Sequence, residues 1–506
     1  MDRSLNMNYR LVFNTVSHLK TIQIWHQVRY RLSKAKYHHY DAPAHRTISL
    51  VTAPIPRYKS LEENSFTFLN LSHRFTDWNF VDNGTLFTYN QNYFDFINAE
   101  GITVEEACKW IDRFIGDIPI ITWGLDPYPI ALRGINWIKF FCRYPECATI
   151  EREDSLYSQY RLLEKKLEYH LLGNHLLEDA FSLYIGGCYF EDNKIRNKAF
   201  RLLLKQLGEQ TLGDGAHYEQ SPMYHCILLD RLLDCINVAI SCEMAEEASM
   251  LKPFAIKQVR WLNSICYKDG SWPFFNDAAL GIAPTTIEII NYAKRLGIES
   301  NGFMLGDSGY RKFSNDAMEA FVDCGNVTAA YQPGHTHADA LNYELHVDGK
   351  PFVVDTGIST YDKTPRRQYE RSTIAHNCVV PVDCYGTGSS QSSSEVWGGF
   401  RVGKRCRVTV IKDEPNEVIA SHDGFKQRCE RTFKINESSF MIEDRYQGDA
   451  ISLVHFAENA DLGRIKIENA QKIEIIEDEY SIGYNRFKKC QVLKIYFNGL
   501  VKYTIR

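Results

Sequence analysis

The sequence predicts a multidomain α+β chain in which a helical half precedes a β half. Two patterns carry this. From about Thr103 to Leu296, apolar residues recur near i, i+3, i+4 and i+7 in segments of similar length. Beyond Leu305-Gly306-Asp307 the period falls to two, with turn residues such as Val347-Asp348-Gly349-Lys350 between the runs. A length of 506 residues allows two to four domains with substantial cores.

Residues 1–65 read as a basic, Pro-punctuated leader with one helix at 18–35. Residues 66–96 are aromatic and Asn-rich and read as loops and short helices. The helical region, 66–305, is expected to carry helices at 104–115, 130–144, 155–172, 178–189, 195–207, 223–242, 245–266 and 286–296. Many such helices joined by short loops suggest pairs stacked into a ring or solenoid. The β region, 306–506, is expected to place strands at 318–324, 342–347, 352–355, 377–382, 405–411, 430–435, 440–446, 492–497 and 500–505. Antiparallel strands of this kind suggest a sandwich. The crevice between the two regions is the first place to look for a ligand.

Composition narrows the function. The net charge of −5 offers no global basic field, so a nucleic-acid partner is not expected. No run approaches a membrane span, and a membrane partner is not expected either. The first 25 residues lack a continuous apolar signal core, which places the protein in the cytoplasm by default, or in the periplasm or outside if a signal was removed. Fourteen cysteines without CxxC pairs read mostly as free, buried thiols. Aromatics at 13% suit sugar stacking and a packed core alike.

The chemistry concentrates in three segments. His335 and His337 lie two apart before an alternating run, so they share a face if extended, as a metal or acid/base pair would. Asp355 and His376 follow, and a His/Asp/His set drawn from these separate segments is a plausible divalent-cation site. The second segment, Gly173-Asn174-His175, opens a helix and could be a cap alone. The third runs from Asp214 to His225, where Ser221-Pro222 starts a helix and Tyr224 falls in its first turn. A base, an acid and a neutral hydrogen-bond donor are what abstraction of a proton α to a carboxylate requires. Tyr or His, Tyr, and Asn can fill those roles in a β-elimination on a uronic acid.

Gly334-His335-Thr336-His337-Ala338-Asp339-Ala340, Val354-Asp355-Thr356-Gly357, Arg371 to Asn377 and Trp397-Gly398-Gly399-Phe400 resemble the heparinase II/III superfamily. Asn174-His175, Tyr218 to His225 and Pro127-Tyr128-Pro129 with Arg133 and Asn136 to Phe140 are similar to its helical motifs. The resemblance implies an incomplete (α/α) toroid followed by an antiparallel β-sandwich, and cleavage of uronate polysaccharides such as hyaluronan, chondroitin sulfate, heparan sulfate or alginate. It implies that Asn174 and His175 engage the uronate carboxylate, that Tyr224 and His335 are catalytic, and that Tyr361 is a second active-site tyrosine. It also implies one divalent ion, zinc or else manganese, on His337, Asp355 and His376. Tyr224 is expected to act as general acid, and as base for one uronate epimer, with His335 the base for the other. Arg133, Trp137, Tyr218, Arg367 and Arg371 are candidate substrate contacts; for the arginines, intramolecular pairing is the competing reading. Two other functions fit the same residues: a metal-dependent glycan hydrolase using Glu219 or Asp339 as base, and a non-catalytic or biosynthesis-associated acidic-glycan-binding protein.

Overall fold

A computed structural model describes residues 9–32, 35–43, 45–393 and 400–506. The leader contributes helices α1 (Tyr9–Ser17) and α2 (Thr21–Leu32). A small antiparallel sheet follows, β1 (Leu61–Glu62), β2 (Ser65–Phe68) and β3 (Leu71–Arg74), spanning the end of the leader and the start of the stretch read from the sequence as loops and short helices. Next come α3 (Thr85–Tyr93), α4 (Val104–Asp117), α5 (Pro127–Arg143), α6 (Ile150–Lys166), α7 (Gly173–Tyr189), α8 (Asn193–Gln210), α9 (Pro222–Ser241), α10 (Ala245–Ile265) and α11 (Thr286–Arg295).

Their starts follow local chemistry. Thr103 caps α4 and Asp192 caps α8, each side chain accepting from backbone N–H groups of the first turn. Pro127 and Pro222 occupy the first turns of α5 and α9, and Thr285 with Glu288 forms a capping box at α11. α7 is buried on almost every side and packs against α5, α8 and α9. That explains its apolar run, Ala180-Phe181-Ser182-Leu183-Tyr184-Ile185: a helix surrounded by helices has no polar face.

The β half holds β4 (Tyr310–Ser314), β5 (Met318–Asp323), β6 (Tyr343–Val347), β7 (Lys350–Val353), the short helix α12 (Pro365–Glu370), β8 (Val379–Pro381), β9 (Val408–Glu414), β10 (Glu417–His422), β11 (Cys429–Asn436), β12 (Ser439–Phe456), β13 (Ile465–Glu468), β14 (Lys472–Gly483) and β15 (Arg486–Ile505). The main hydrogen-bonded path runs β4-β5-β6-β7-β12-β11-β10-β9, with β15 pairing β12, β13 and β14. Strands β4 and β6, at one end of the path, face β11, β12 and β15 across one core. Phe313 meets Phe440 with ring centroids 5.9 Å apart, Tyr343 meets Phe433 at 5.9 Å, and the Tyr343 and Tyr503 hydroxyls lie 3.4 Å apart. The packing is that of a sandwich. All fourteen cysteines are free. No helix among the described residues is long and apolar enough to cross a membrane.

Candidate functional site

A cavity of about 1240 Å³ opens between the halves, walled by α2, the residue 55–60 segment, α3, the starts of α7 and α9, and loops of the β half. Asn174, His175, Tyr224, His335 and Tyr361 all line it. Five residues separated by up to 187 positions are thus brought to one wall.

The local backbone explains the placement. Leu172 and Gly173 both have positive φ, 62° and 61°, turning the chain sharply into α7. A Cβ on Gly173 would lie 2.6 Å from Glu219 Oε1, so glycine is required there for space as well as for φ. Asn174 then donates its backbone N–H to Glu219 Oε1 at 3.0 Å and its amide to Glu219 Oε2 at 2.9 Å. Tyr224 is the third residue of α9, and its N–H is capped by the Ser221 hydroxyl. The α9 start is tied to the loop between α10 and α11 because that hydroxyl also donates to the Asp277 carbonyl, at 2.5 Å.

His335 is held from behind. Its Nδ1 lies 2.8 Å from Asp277 Oδ2, and Arg367 grips Asp277 with two bonds of 2.5 and 2.8 Å. Burial would raise the Asp277 carboxyl, but Arg367 and the two histidines hold it well below the usual range. A carboxylate only accepts, so Nδ1 carries a proton, and in the neutral ring Nε2 then presents a lone pair. That lone pair receives the Asn174 amide at 3.3 Å, with Glu219 Oε2 at 3.5 Å. Tyr224 packs on the His335 ring at 4.0 Å, and its hydroxyl lies 3.1 Å from that of Tyr361. Burial pushes the Tyr224 phenol far up, outweighing the Tyr361 hydrogen bond and the Arg367 charge. The Tyr361 phenol is likewise pushed up by burial, with Asp277 adding to it. His175 Nδ1 lies 3.0 Å from Glu168, which raises its pKa against the opposing effect of burial. Its ring also lies 4.7 Å from Tyr128.

Other sequence-predicted contacts are elsewhere. Arg133 is fully buried, and its guanidinium is satisfied by Gln159 Oε1 and the carbonyls of Asn92 and Gly124. Trp137 is fully buried among Phe94, Phe114 and Phe141. Neither reaches the cavity; both are core, because a guanidinium that finds carbonyl partners can be buried as an aromatic can. Tyr218 sits behind Asn174, its hydroxyl accepting from Tyr331 at 3.0 Å. Arg367 is spent on Asp277, and Arg371 bonds the Thr336 carbonyl between the two histidines, so both brace the site from outside its wall. The cations that do line the cavity include Arg31, Lys363 and Arg401, which the sequence did not single out. Trp397-Gly398-Gly399 lies outside the described residues, whereas Phe400 lines the cavity.

The metal set is partly rearranged. Asp339, Asp355 and His376 are buried and offer ligand atoms within 4.8 Å of one another. His376 Nδ1 lies 2.8 Å from Asp355 Oδ2, and His337 Nε2 lies 2.8 Å from Asp277 Oδ1. Each histidine thus leans on a carboxylate, the arrangement that orients metal-binding imidazoles. The opposite ring nitrogens, His337 Nδ1 and His376 Nε2, are buried without a hydrogen-bond partner, as is Asp339 Oδ2. The two rings are 5.3 Å apart. Orphaned nitrogen and oxygen atoms of this kind fit a divalent cation. Asp339 is the ligand candidate that the His/Asp/His reading left out. Asp277 and Glu219 are the polar supports it did not assign.

The family profile described as "Heparinase II/III N-terminus" matches residues 154–296, and "Heparinase II/III-like, C-terminal" matches residues 298–477. This chain belongs to the heparinase II/III-like family. A heparin-sulfate lyase of Bacteroides stercoris is 22% identical over 358 residues, covering 64% of this chain and 50% of that protein. One of Pedobacter heparinus is 23% identical over 307 residues, covering 55% and 45%. The chain therefore spans about half the length of these two relatives. Among solved structures, heparinase III superposes with a TM-score of 0.58 at 14% identity over 85% of this chain and 78% of that one. Heparan sulfate lyase HepC from Pedobacter heparinus gives 0.53 at 14% identity, over 96% and 87%. At that identity the likeness establishes the heparinase fold, a helical region followed by an antiparallel sheet domain.

Proposed function

We propose that this heparinase II/III-like protein is a lyase that cleaves uronate-containing polysaccharides by β-elimination, leaving a 4,5-unsaturated uronate end. One observation carries the reading: His335, fixed through Nδ1 by Asp277, and Tyr224, kept protonated by burial, lie ring to ring on one cavity wall. Proton abstraction at C5 needs the first, and protonation of the departing O4 needs the second. In the proposed course the substrate carboxylate approaches His175 and the Asn174 amide, displacing the long Asn174–His335 contact. His335 Nε2 takes the C5 proton, and its positive charge is compensated through Nδ1 by Asp277. Negative charge gathering on the carboxylate is met by Asn174 and His175. The Tyr224 hydroxyl gives its proton to O4, and the C4–O4 bond breaks as the C4–C5 double bond forms. Tyr361 then stands 3.1 Å from Tyr224 as a hydrogen-bond partner for the tyrosine oxygen. The pKa of Tyr224 suits the acid role; the base role for one epimer, expected from the family, is disfavoured by the same burial.

Glycosaminoglycans and alginate are the proposed substrate class, consistent with the heparin-sulfate lyases among the relatives. Zinc is the proposed ion, held by His376 with Asp339, Asp355 and His337; when bound it would neutralise clustered buried carboxylates and brace the loops behind His335. None of those four residues lines the cavity, which argues against a hydrolase that activates water on the metal. The deciding assay incubates the protein with hyaluronan, chondroitin sulfate, heparan sulfate and alginate. A lyase yields products with strong ultraviolet absorbance from the conjugated double bond. Binding without any chain cleavage would favour the non-catalytic reading.

A further inference from the structure

Helices α1 and α2 carry a dense run of exposed apolar side chains. Nine of the 27 large hydrophobic residues exposed among the described residues fall within the 24 positions from Tyr9 to Leu32. Val16, Ile24 and Val28 line the cavity and Tyr30 packs inward on His170, which leaves Tyr9, Phe13, Ile22, Trp25 and Leu32. On α2, Trp25 and Leu32 fall at i and i+7, with exposures of 65 and 80%, while Val28 at their edge turns toward the cavity that it helps to line. On α1, Tyr9 and Phe13 lie one turn apart at 77 and 71%. Arg29 shares the α2 face and Arg10 the α1 segment, both exposed. Residues 1–40 carry seven Lys or Arg against one Asp, although the whole chain has a net charge of −5.

The face is held outward by a built anchor. Gln23, on the opposite side of α2, is buried and donates its amide to the carbonyls of Leu171 (3.2 Å) and Tyr331 (3.3 Å). His26 packs on Tyr169 and Tyr30 on His170, with ring centroids 4.7 and 4.6 Å apart. Lys20 pairs with Glu209. The inner side is thus fixed to loops of both halves, and the turn of the helix leaves Trp25, Arg29 and Leu32 facing away.

We propose that the outward face of α1 and α2 is a docking site for an anionic lipid surface, on which the two helices lie without spanning it. A large apolar stripe with interfacial aromatics and flanking arginines is the composition of helices that rest at the headgroup boundary. Charge favours this occupant over a second copy of the chain, because an isologous contact would press two cation-rich leaders together. The flank of α2 that carries Ile24 and Arg31 lines the cavity, so docking would set the cavity mouth beside the bilayer. This inference does not depend on the lyase reading.

The test uses the full chain with phosphatidylcholine vesicles, with and without about 30 mol % phosphatidylglycerol. We expect sedimentation with the anionic vesicles only, a blue shift of tryptophan emission, and release by salt. The triple change Phe13→Ser, Trp25→Ser, Leu32→Ser should weaken partition more than about tenfold. Arg10→Gln with Arg29→Gln should weaken it by about fivefold per cation removed. Trp25→Phe should still bind but lose the spectral shift, which separates docking from misfolding. Absence of binding to anionic vesicles at low salt, or full binding by the triple variant, would overturn the proposal. So would a concentration-dependent dimer abolished by the triple change while vesicle binding is absent.

Discussion

The acid role proposed for Tyr224 rests on its surroundings, not on its position in α9. Because burial pushes its phenol far up, the hydroxyl stays protonated through neutral and mildly alkaline pH. We expect no alkaline loss of kcat below about pH 10, the ordinary tyrosine value. A fall near neutral pH would show that tyrosinate is not excluded. Tyr224→Phe keeps the ring against His335 and removes only the proton, so kcat should drop by roughly 10²–10⁴ with KM nearly unchanged. Asp277→Asn should lower kcat and leave binding intact, because the amide no longer fixes the Nδ1 tautomer and no longer answers Arg367. Turnover equal to the parent would remove Asp277 from the mechanism. Asp277 was not legible in the sequence: it follows an aromatic run, 58 positions before His335, with no spacing that ties the two. Arg133 was misread for the converse reason, since residue type cannot distinguish a guanidinium facing a carboxylate from one facing three buried acceptors.

Among the elements, the starts of α7 and α9 were legible because Gly, Ser and Pro have local meaning there. Gly173→Ala combines positive φ with a clash on Glu219, so we expect a loss of about 1–3 kcal/mol and reduced turnover as Glu219 leaves Asn174. Within α7, burial pushes the Glu178 carboxyl up to about 7, against the pull of Arg231. A carboxyl whose folded pKa is raised favours the protonated folded state, so stability falls as pH rises from about 4 to 7 and then levels. Glu178→Gln should therefore be more stable than the parent at pH 8, by up to about 3 kcal/mol, and nearly equal to it at about pH 4. Urea unfolding at both pH values checks this; an equal gap at both would contradict it. The strands were less legible than the helices. β12 and β15 are continuous over 18 and 20 residues, yet polar interruptions made them read as shorter pieces. β12 carries a register shift against β15 between Tyr446 and Asp449, and past it the partner on its other edge changes from β11 to β8 and β7. β14 was missed because its first half is largely exposed, so it lacks a buried stripe.

For the whole molecule, the order of a helical half and a β half was written in the change of hydrophobic period. The contribution of α2 to the cavity wall was not, because it depends on Gln23 reaching carbonyls 148 and 308 positions away. The buried cluster behind His335 would couple a bound ion to the fold. Elemental analysis should find about one divalent ion per chain, and chelation or His376→Ala should lower the melting temperature and also the activity. A metal-free protein that melts unchanged would count against the cation site. The most direct test of the proposed chemistry compares the parent and Tyr224→Phe on a panel of uronate polysaccharides, reading ultraviolet absorbance and new reducing ends together. We expect the two signals to rise in step for the parent and both to fall by at least a hundredfold for the variant. New reducing ends without absorbance would mean hydrolysis, and would contradict β-elimination at this site.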